Sequence, residues 1–370
     1  MKIAYMMGSL NRGGAETLVM DILQNAVDAD LDVMLIHRKK GDLYENLVST
    51  GKSLQQLKPA WKIDPVYLWN LRKTLIKNKI TLVHAQHPVD AFYALMACRG
   101  STIKTALTHH GFNENKTGWY RRMLLYVMRN CAMNYFVSQS QLEDYTIRFG
   151  KLPAGKTRVI YNCIDFEKFS RAYAGNIRQE LGISTDKPLL GSVGNFNHVR
   201  DQFTICRALK ILKEKEKEFF FVFAGARQEK SARLYDRCVD YCRDNGLGNQ
   251  VFFLGSRQDV PALLKQMEVF VYASNSDTFG IAVIEAMAAG VPVIVNNWKV
   301  MLEVTDQGRL GTIYPSGDHH SLADKLGNFI ENKDAYLQKA KDAAIHVRKK
   351  YHVTSFLQNL KASYAEIADK

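Results

Sequence analysis

The stretch from Val269 to Asn297, VFVYASNSDTFGIAVIEAMAAGVPVIVNN, constrains the fold of this chain more than any other part of it. An apolar run of strand length leads into a polar loop. A short apolar helix is expected from about Ile281 to Gly290, and Pro292 opens a second apolar run. Strand, loop, helix and strand in this order predict a parallel-sheet unit. Its loop then lies at the carboxyl end of a strand, where open α/β sheets bind ligands.

Two acids stand out in this stretch, Asp277 in the loop and Glu285 on the helix. A carboxylate can accept hydrogen bonds from two neighbouring hydroxyls of a ribose or a sugar ring. Glu285 interrupts an otherwise apolar helix, so we expect it to be exposed at a cleft or paired. The helix start near Ile281 offers N–H groups and a positive dipole end, which suit a phosphate. The stretch therefore predicts a nucleotide site.

The same alternation of strands and helices runs through the rest of the chain. Other strand-like segments are KIAYMM, DVMLIHR, TLVHAQ, KTALTHH, MNYFVSQS, LLGSVG, FFFVFAG and VFFLGS. The rhythm slackens between Asn162 and Asp186 and then restarts. We therefore predict an α/β protein with two Rossmann-like parallel-sheet domains that face each other across a cleft. The predicted parts are an N-terminal domain at 1–165, a linker or hinge at 166–186, a C-terminal domain at 187–350, and a helix at 351–370 that crosses back onto the first domain.

Composition narrows the class of protein. The chain has 370 residues, of which 46% are hydrophobic and 24% charged, as expected of a soluble protein with two α/β cores. The first ten residues lack the apolar core of a signal peptide, and no apolar run is long enough to span a membrane. Among the six cysteines, Cys238 and Cys242 are one helical turn apart, but no second pair completes a metal site. We expect a cytoplasmic protein without a metal.

The net charge of +13 is concentrated in the first half of the chain. Residues 1–165 hold 22 Lys and Arg against 13 Asp and Glu. Such a surplus predicts an anionic partner, and the segment Lys116–Arg129, KTGWYRRMLLYVMR, places Arg121 and Arg122 beside Trp119. This segment is either a helix that faces the core or one that lies on an anionic membrane surface. No nucleic-acid-binding motif accompanies the charge, so we expect no nucleic-acid partner.

Further candidate residues lie at other strand ends. Gly13 and Gly14 separate the first strand from its helix, a place where a backbone can approach a phosphate, although glycines are also ordinary turn residues. In the loop GNFNHVRD, Arg200 is either a surface cation or a ligand for a diphosphate. His84 and the pair His109 and His110 end neighbouring strands. We expect at least one of them to be functional.

With these motifs in view, the chain resembles the family 4 retaining glycosyltransferases of the two-domain GT-B fold, especially bacterial enzymes that build exopolysaccharide, capsule or lipopolysaccharide. GSLNRGGAETLVMDI is similar to the family's phosphate-loop opening, and LTHHG to its T-x-H-G element. VIYNCIDFEKF resembles the hinge, VFFLGSRQDVPALL the F-x-G-x-x-x-D-x-x-x-L segment, and the stretch first described the E-x7-E region. The resemblance covers nearly the whole chain.

The resemblance implies a role for each matching residue. Glu285 would bind the ribose hydroxyls and Asp277 would lie against the donor sugar, while Arg200 would hold the diphosphate. The backbone N–H groups after Asp277 would hold diphosphate or sugar. The implied sets are His110, Arg200 and Asp277 for catalysis, Gly14, Asn195, Phe279, Gly280, Ile281 and Glu285 for the donor, and Glu16 for the acceptor.

The chain departs from the family pattern at four positions. Asp277 replaces a glutamate, Arg200 replaces a lysine, and Cys163 replaces the hinge glycine. Asn195 stands where the family commonly has an arginine, which leaves one cation fewer for the leaving diphosphate.

The resemblance implies a retaining transferase that moves a sugar from a UDP- or GDP-sugar to a glycan or lipid-linked acceptor for cell-surface polysaccharide. It implies no cofactor and no metal. We expect the protein in the cytoplasm, with peripheral contact to the inner face of the cell membrane. The alternatives are a nucleotide-sugar epimerase-like enzyme and a non-catalytic sugar-nucleotide-binding protein.

Overall fold

The structure is a computed structural model that describes residues 1–11, 13–27, 29–61, 64–112, 117–170 and 175–369. The chain forms two compact units. The first comprises Met1–Ile164 and Tyr351–Lys370, and the second comprises Asp165–Lys350. Residues 166–186, expected to be a linker, thus fall within the second unit. Lys116 of the predicted basic segment lies outside the described residues.

The first unit is built on a parallel sheet of seven strands in the order β3-β2-β1-β4-β5-β6-β7. The strands are β1 (Lys2–Ser9), β2 (Asp32–Lys39), β3 (Ser53–Gln56), β4 (Leu82–Ala85), β5 (Lys104–His109), β6 (Met133–Phe136) and β7 (Thr157–Val159). The helices that connect them are α1 (Gly14–Asn25), α2 (Tyr44–Val48), α3 (Pro65–Lys77), α4 (Pro88–Ala97), α5 (Gly118–Asn130) and α6 (Gln139–Phe149).

The second unit repeats this plan with a parallel sheet of six strands in the order β10-β9-β8-β11-β12-β13. The strands are β8 (Leu189–Val193), β9 (Phe220–Ala224), β10 (Val251–Phe253), β11 (Val269–Tyr272), β12 (Val293–Asn296) and β13 (Thr312–Tyr314). The helices are α7 (Glu167–Ser170), α8 (Ile177–Leu181), α9 (Gln202–Glu214), α10 (Ala232–Asp244), α11 (Val260–Gln266), α12 (Ile281–Ala288), α13 (Lys299–Val304), α14 (His319–Glu331) and α15 (Lys333–Lys350). A short 3₁₀ turn, Glu229–Ser231, precedes α10.

The last helix of the chain, α16 (Val353–Ala368), belongs to the first unit and packs against α1. Its apolar side chains complete a core under β1 and β2 that includes Phe356 and Leu360. The return of this helix confirms the prediction that the C-terminal segment crosses back onto the first domain.

In both sheets the strand order reverses beside the first strand of the unit, so that β1 lies between β2 and β4, and β8 lies between β9 and β11. Ligands of open parallel sheets bind at the carboxyl ends of the strands at this point. Two Rossmann-like α/β units confirm the predicted fold class. Among the described helices, none is both long and apolar enough to cross a lipid bilayer.

Candidate functional site

The loops that follow β8 and β11 are joined at the point where the strand order of the second unit reverses. Arg200 and Ser274 form a backbone bridge, and the N–H of Asn275 donates to the carbonyl of Val199 at 2.8 Å. Buried Asn296 fixes Ser274 from the neighbouring strand, donating to its carbonyl at 2.7 Å and accepting from its N–H at 3.2 Å. These hydrogen bonds fix the backbones of the two loops relative to each other, and so fix where their side chains begin.

Arg200 is held in a defined position between these loops. Its guanidinium carbon lies 4.0 Å from the centre of the Tyr272 ring, and only 14% of its side chain is exposed. A β-carbon on Gly194 would lie 2.8 Å from Arg200 Nη2, so the glycine makes room for the guanidinium. Gly194 also has a φ of +150°, which disfavours other residues. The cation is thus packed against backbone and an aromatic face.

Asp277 makes the densest set of contacts in the site. Its Oδ1 accepts from the N–H groups of Phe279 and Gly280, each at 3.1 Å. Its Oδ2 accepts from the hydroxyl of Tyr272 and lies 3.8 Å from Arg200 Nη1. A short acidic side chain that turns back onto the backbone two and three residues later is typical of aspartate in turns. Asp277 therefore orders the loop that begins α12.

Two of the N–H groups predicted for the donor site have an acceptor within the protein. Phe279 and Gly280 were expected to offer their N–H groups to a diphosphate or sugar, but in the structure both donate to Asp277. Ile281, the third predicted donor, is the first residue of α12. First-turn N–H groups have no acceptor inside their own helix, so the predicted role of Ile281 remains compatible with the geometry.

Glu285 lies on the partly exposed face of α12. Ile281, Glu285 and Ala288 follow one another at the spacing of a single helix face, whereas the residues on either side of Glu285 are buried. The carboxylate therefore reaches the surface of the unit without disturbing its core, on the helix that starts at the loop of Asp277.

Asn195 has a structural contact that the sequence did not indicate. Its amide oxygen accepts from the N–H of Ala226 at 2.9 Å, which links the loop after β8 to the loop after β9. An arginine at this position could not accept that hydrogen bond. The predicted contact of Asn195 with a donor stays a prediction.

In the first unit, α1 begins at Gly14 after an extended Gly13. A β-carbon on Gly13 would lie 2.6 Å from Glu16 Oε2, so the carboxylate folds back over the start of its own helix. Burial raises the pKa of Glu16, and a hydrogen bond to its own backbone partly offsets this shift. Gly14 itself is exposed. The structure thus brings Gly14 and Glu16 together at the carboxyl end of β1.

The three histidines differ from one another. His84 is buried, with Nδ1 2.6 Å from the Tyr364 hydroxyl on α16 and Nε2 2.7 Å from Thr108 Oγ1. Burial lowers its pKa to about 3, so it is neutral. These contacts give His84 a structural role, which leaves the expected functional histidine to be one of the other two. His109 is likewise buried, and it stacks on Phe136.

His110 is the histidine that remains at the edge of the sheet. It lies just beyond β5 and is half-buried, and its Nε2 donates to Gln86 Oε1 at 2.8 Å. Burial, together with the nearby His109 and His87, lowers the pKa of His110 to about 3. Gln86 directly follows β4, so two adjacent strand ends fix the orientation of a neutral imidazole.

The sequence analysis did not predict a site role for Tyr272 or Gln86. Tyr272 ends the apolar run VFVY, and Gln86 ends TLVHAQ without a recognisable motif. A signal for both was available in their position. Tyr272 is the last residue of its strand and Gln86 directly follows its strand, and both strands lie where the strand order reverses. Among the described residues, no three His, Cys, Asp or Glu side chains gather as a metal-binding group.

Two family models together match most of the chain. Residues 12–168 match the model of Glycosyltransferase Family 4, and residues 174–347 match that of Glycosyl transferases group 1. The boundary between the two matched ranges falls close to the boundary between the two structural units.

Individual relatives agree with these models. The O-antigen biosynthesis glycosyltransferase WclY of Escherichia coli is 24% identical over 83% of each chain. A UDP-Gal:alpha-D-GlcNAc-diphosphoundecaprenol alpha-1,3-galactosyltransferase of the same species is 24% identical, covering 80% of this chain and 79% of its own. The crystal structure of Anabaena HepE in complex with UDP-glucose superposes with a TM-score of 0.87 at 20% identity, over 99% of this chain and all of the other. The chain therefore belongs to the glycosyltransferases of the GT-B fold, with a family 4 first domain and a group 1 second domain.

Proposed function

We propose that this glycosyltransferase retains the configuration of the sugar it moves. In this proposal the donor is a UDP- or GDP-sugar, the acceptor is a glycan or a lipid-linked sugar of a growing cell-surface polysaccharide, and no metal is required. The observation that carries the proposal is the placement of Arg200 beside the start of α12, with Glu285 on that same helix. WclY takes part in O-antigen synthesis, and HepE has been crystallised with UDP-glucose, which supports the same donor and product class.

Stabilisation of the departing diphosphate is the central step of this proposal. Negative charge grows on the diphosphate as its bond to the sugar breaks, and a preorganised cation stabilises that charge. Arg200 supplies the cation, with only 14% of its side chain exposed. The start of α12 supplies the N–H of Ile281 and the positive end of the helix dipole. In this proposal these two groups stabilise the diphosphate in place of a metal ion. Addition of EDTA should therefore leave the rate of transfer unchanged.

The other residues bind or orient. Glu285 accepts hydrogen bonds from the ribose hydroxyls, and Asp277 touches the donor sugar from the loop that it orders. In the first unit, Gly14 lets the backbone approach the donor phosphate, Glu16 lies near the acceptor, and neutral His110, fixed by Gln86, contributes a directed imidazole.

Glu285→Gln tests the binding role of Glu285. Loss of a charged acceptor should raise the donor KM roughly tenfold to a hundredfold while kcat changes much less. The donor is first selected by screening UDP- and GDP-sugars for thermal stabilisation of the wild-type protein. Glu45→Gln on α2 is a matched control, because Glu45 is an exposed glutamate of the other unit. A collapse of kcat at unchanged KM would contradict the binding role.

Asn195 is the reason to test two rival functions, an epimerase-like enzyme and a non-catalytic binding protein. It stands where the family commonly has an arginine, so the site has one cation fewer than the family pattern, and its amide oxygen accepts from the N–H of Ala226. An epimerase-like enzyme would convert the donor sugar when no acceptor is present, and chromatography of the incubated donor detects that conversion. A non-catalytic binding protein would be stabilised by the donor, but a gene carrying Arg200→Ala, which removes the cation proposed to drive transfer, would still complement a deletion strain.

We also propose that the first unit rests on an anionic membrane surface, at the cytoplasmic face of the cell membrane. Large aromatic side chains are exposed on α3 and α5, namely Trp69, Trp119 and Tyr126. Exposed Arg121 and Arg122 lie on α5, whose other face, including Leu124 and Met128, is buried in the core. Aromatic rings at headgroup level beside cations suit an anionic lipid surface.

A charge reversal tests this surface. Arg121→Glu with Arg122→Glu should release the protein from vesicles that contain phosphatidylglycerol, because each cation contributes about 1 kcal/mol near such a surface. Lys341→Glu with Lys349→Glu makes the same change in net charge on exposed positions of α15. If both double variants bind the vesicles equally, the proposed surface is wrong.

A further inference from the structure

Tyr272 touches two of the charged residues of the proposed donor site, Arg200 and Asp277. It is the last residue of β11 and is buried. Its ring lies 4.0 Å from the guanidinium carbon of Arg200, and its hydroxyl donates to Asp277 Oδ2. A cation over an aromatic face is attracted to it, more strongly when water is excluded. One side chain therefore contacts the cation and the carboxylate at once.

The Asp277 carboxylate could compete with a diphosphate for Arg200. In the structure it does not form a hydrogen bond with the guanidinium, since Nη1 and Oδ2 are 3.8 Å apart. Oδ1 is occupied by the N–H groups of Phe279 and Gly280, and Oδ2 is occupied by the Tyr272 hydroxyl. The carboxylate thus has its acceptors satisfied without closing onto Arg200.

We infer that Tyr272 is a positioning residue of the donor site, whose ring holds Arg200 in place and whose hydroxyl keeps Asp277 from closing onto it. The guanidinium then stays available to the two phosphates of the donor. This inference rests on the proposed function, because it assumes that Arg200 meets a nucleoside diphosphate. A phenylalanine at this position would supply the ring but not the hydroxyl.

Tyr272→Phe separates these two contributions. Without the hydroxyl, Oδ2 of Asp277 loses its donor and should close onto Arg200, so a diphosphate must displace a direct ion pair. The dissociation constants of UDP and GDP are measured by calorimetry. For whichever nucleotide the wild-type protein binds, the variant should bind roughly tenfold more weakly. Binding of the nucleoside without phosphates, uridine or guanosine, should not change.

Tyr314→Phe is the matched control. Tyr314 is also buried at the end of a strand of the same sheet, and its hydroxyl donates to the carbonyl of Tyr272 at 3.2 Å. This variant removes a buried hydroxyl next to the site without touching Arg200 or Asp277. It should bind the nucleoside diphosphate as the wild-type protein does.

Asp277→Asn provides a second, independent variant. The amide oxygen can still accept from Phe279 and Gly280, but the negative charge that could close onto Arg200 is gone. We expect it to bind the nucleoside diphosphate at least as tightly as the wild-type protein. Tyr272→Phe combined with Asp277→Asn should then recover wild-type affinity.

The outcomes distinguish a failure of the positioning role of Tyr272 from a failure of the proposed nucleoside diphosphate donor. If the wild-type protein binds neither UDP nor GDP, the proposed donor is wrong. If it binds one of them and Tyr272→Phe binds equally well, or the double variant stays as weak as Tyr272→Phe, the positioning role is wrong. Should Tyr272→Phe fail to fold, weaker binding by Asp277→Asn alone would overturn the inference.

Discussion

Gly194 is the residue at which one added methyl group acts most directly on Arg200. The β-carbon of Gly194→Ala would lie 2.8 Å from Nη2 and 3.0 Å from Cζ of Arg200. Because the first distance is shorter than β-carbon contacts in proteins and the second is tight, the guanidinium must move. A displacement of about 1 Å in a group that stabilises a transition state can cost roughly a hundredfold in rate. We expect kcat/KM for sugar transfer to fall by that order, measured with the donor that stabilises the wild-type protein.

Gly290→Ala controls for backbone strain in this experiment. Gly290 has a φ of +75°, and a β-carbon there would meet nothing within 4 Å. The substitution should therefore cost stability, about 1 kcal/mol, without moving Arg200. Equal losses of transfer in both variants would mean that strain, and not the position of the cation, explains the effect at Gly194.

At the residue scale, the sequence predicted where candidate side chains lie in the fold better than it predicted which atoms they bond to. Arg200 and Glu285 could be placed because each follows from the order of strand, loop and helix around it. The contacts of Asp277 could not, since its hydrogen bonds to Tyr272 and to two backbone N–H groups depend on a loop geometry that no spacing encodes. The contact of His84 could not be predicted for a similar reason, because its partner Tyr364 lies 280 positions away.

At the scale of elements, one buried hydroxyl of α16 makes two contacts with the first sheet. The Tyr364 hydroxyl lies 2.8 Å from the Tyr5 hydroxyl and 2.6 Å from His84 Nδ1. Tyr364→Phe would leave two buried polar groups without this partner, which costs about 1–3 kcal/mol for such groups. We expect urea unfolding to give a free energy of unfolding lower by that amount.

Tyr67→Phe on α3 is the matched control for Tyr364→Phe. Tyr67 is buried in the same unit, but its hydroxyl has no hydrogen-bond partner among the residues that the structure describes. Removing an unsatisfied buried hydroxyl should leave stability unchanged or raise it. A loss equal to that of Tyr364→Phe would show that the cost is not due to the hydrogen bonds.

The strands that the sequence failed to predict share one property. Ser53–Gln56, Thr157–Val159 and Thr312–Tyr314 all lie at the edge of a sheet. These three edge strands bury less surface, and they lack the continuous apolar run that marks the central strands of a parallel sheet. Central strands such as VFVY were predicted from that run, and so was the fourth edge strand, β10, because VFFL is apolar.

At the scale of the whole molecule, desolvated histidines make the first unit sensitive to acid. Burial lowers the pKa values of His84 and His110 to about 3 and that of His109 to about 4. In the unfolded chain a histidine titrates near pH 6.5. Between these values the unfolded chain binds protons that the folded unit does not, so the free energy of unfolding falls as the pH falls below 6.5. Each histidine contributes at most about 1.4 kcal/mol per pH unit.

His84→Gln isolates one of these three contributions. Amide hydrogen exchange in urea, followed on peptides from β1, β4 and β5, reports on the unfolding of the first unit alone. Urea unfolding of the wild-type protein at pH 8, 7, 6 and 5 should show this loss only below about pH 6.5, since above it both states leave the ring neutral. Glutamine can still bond Tyr364 and Thr108 but takes up no proton, so the slope between pH 6 and pH 5 should decrease by about 1.4 kcal/mol per pH unit. An unchanged slope would mean that His84 binds its proton in the folded unit as readily as in the unfolded chain, and that its burial does not couple the first unit to acid.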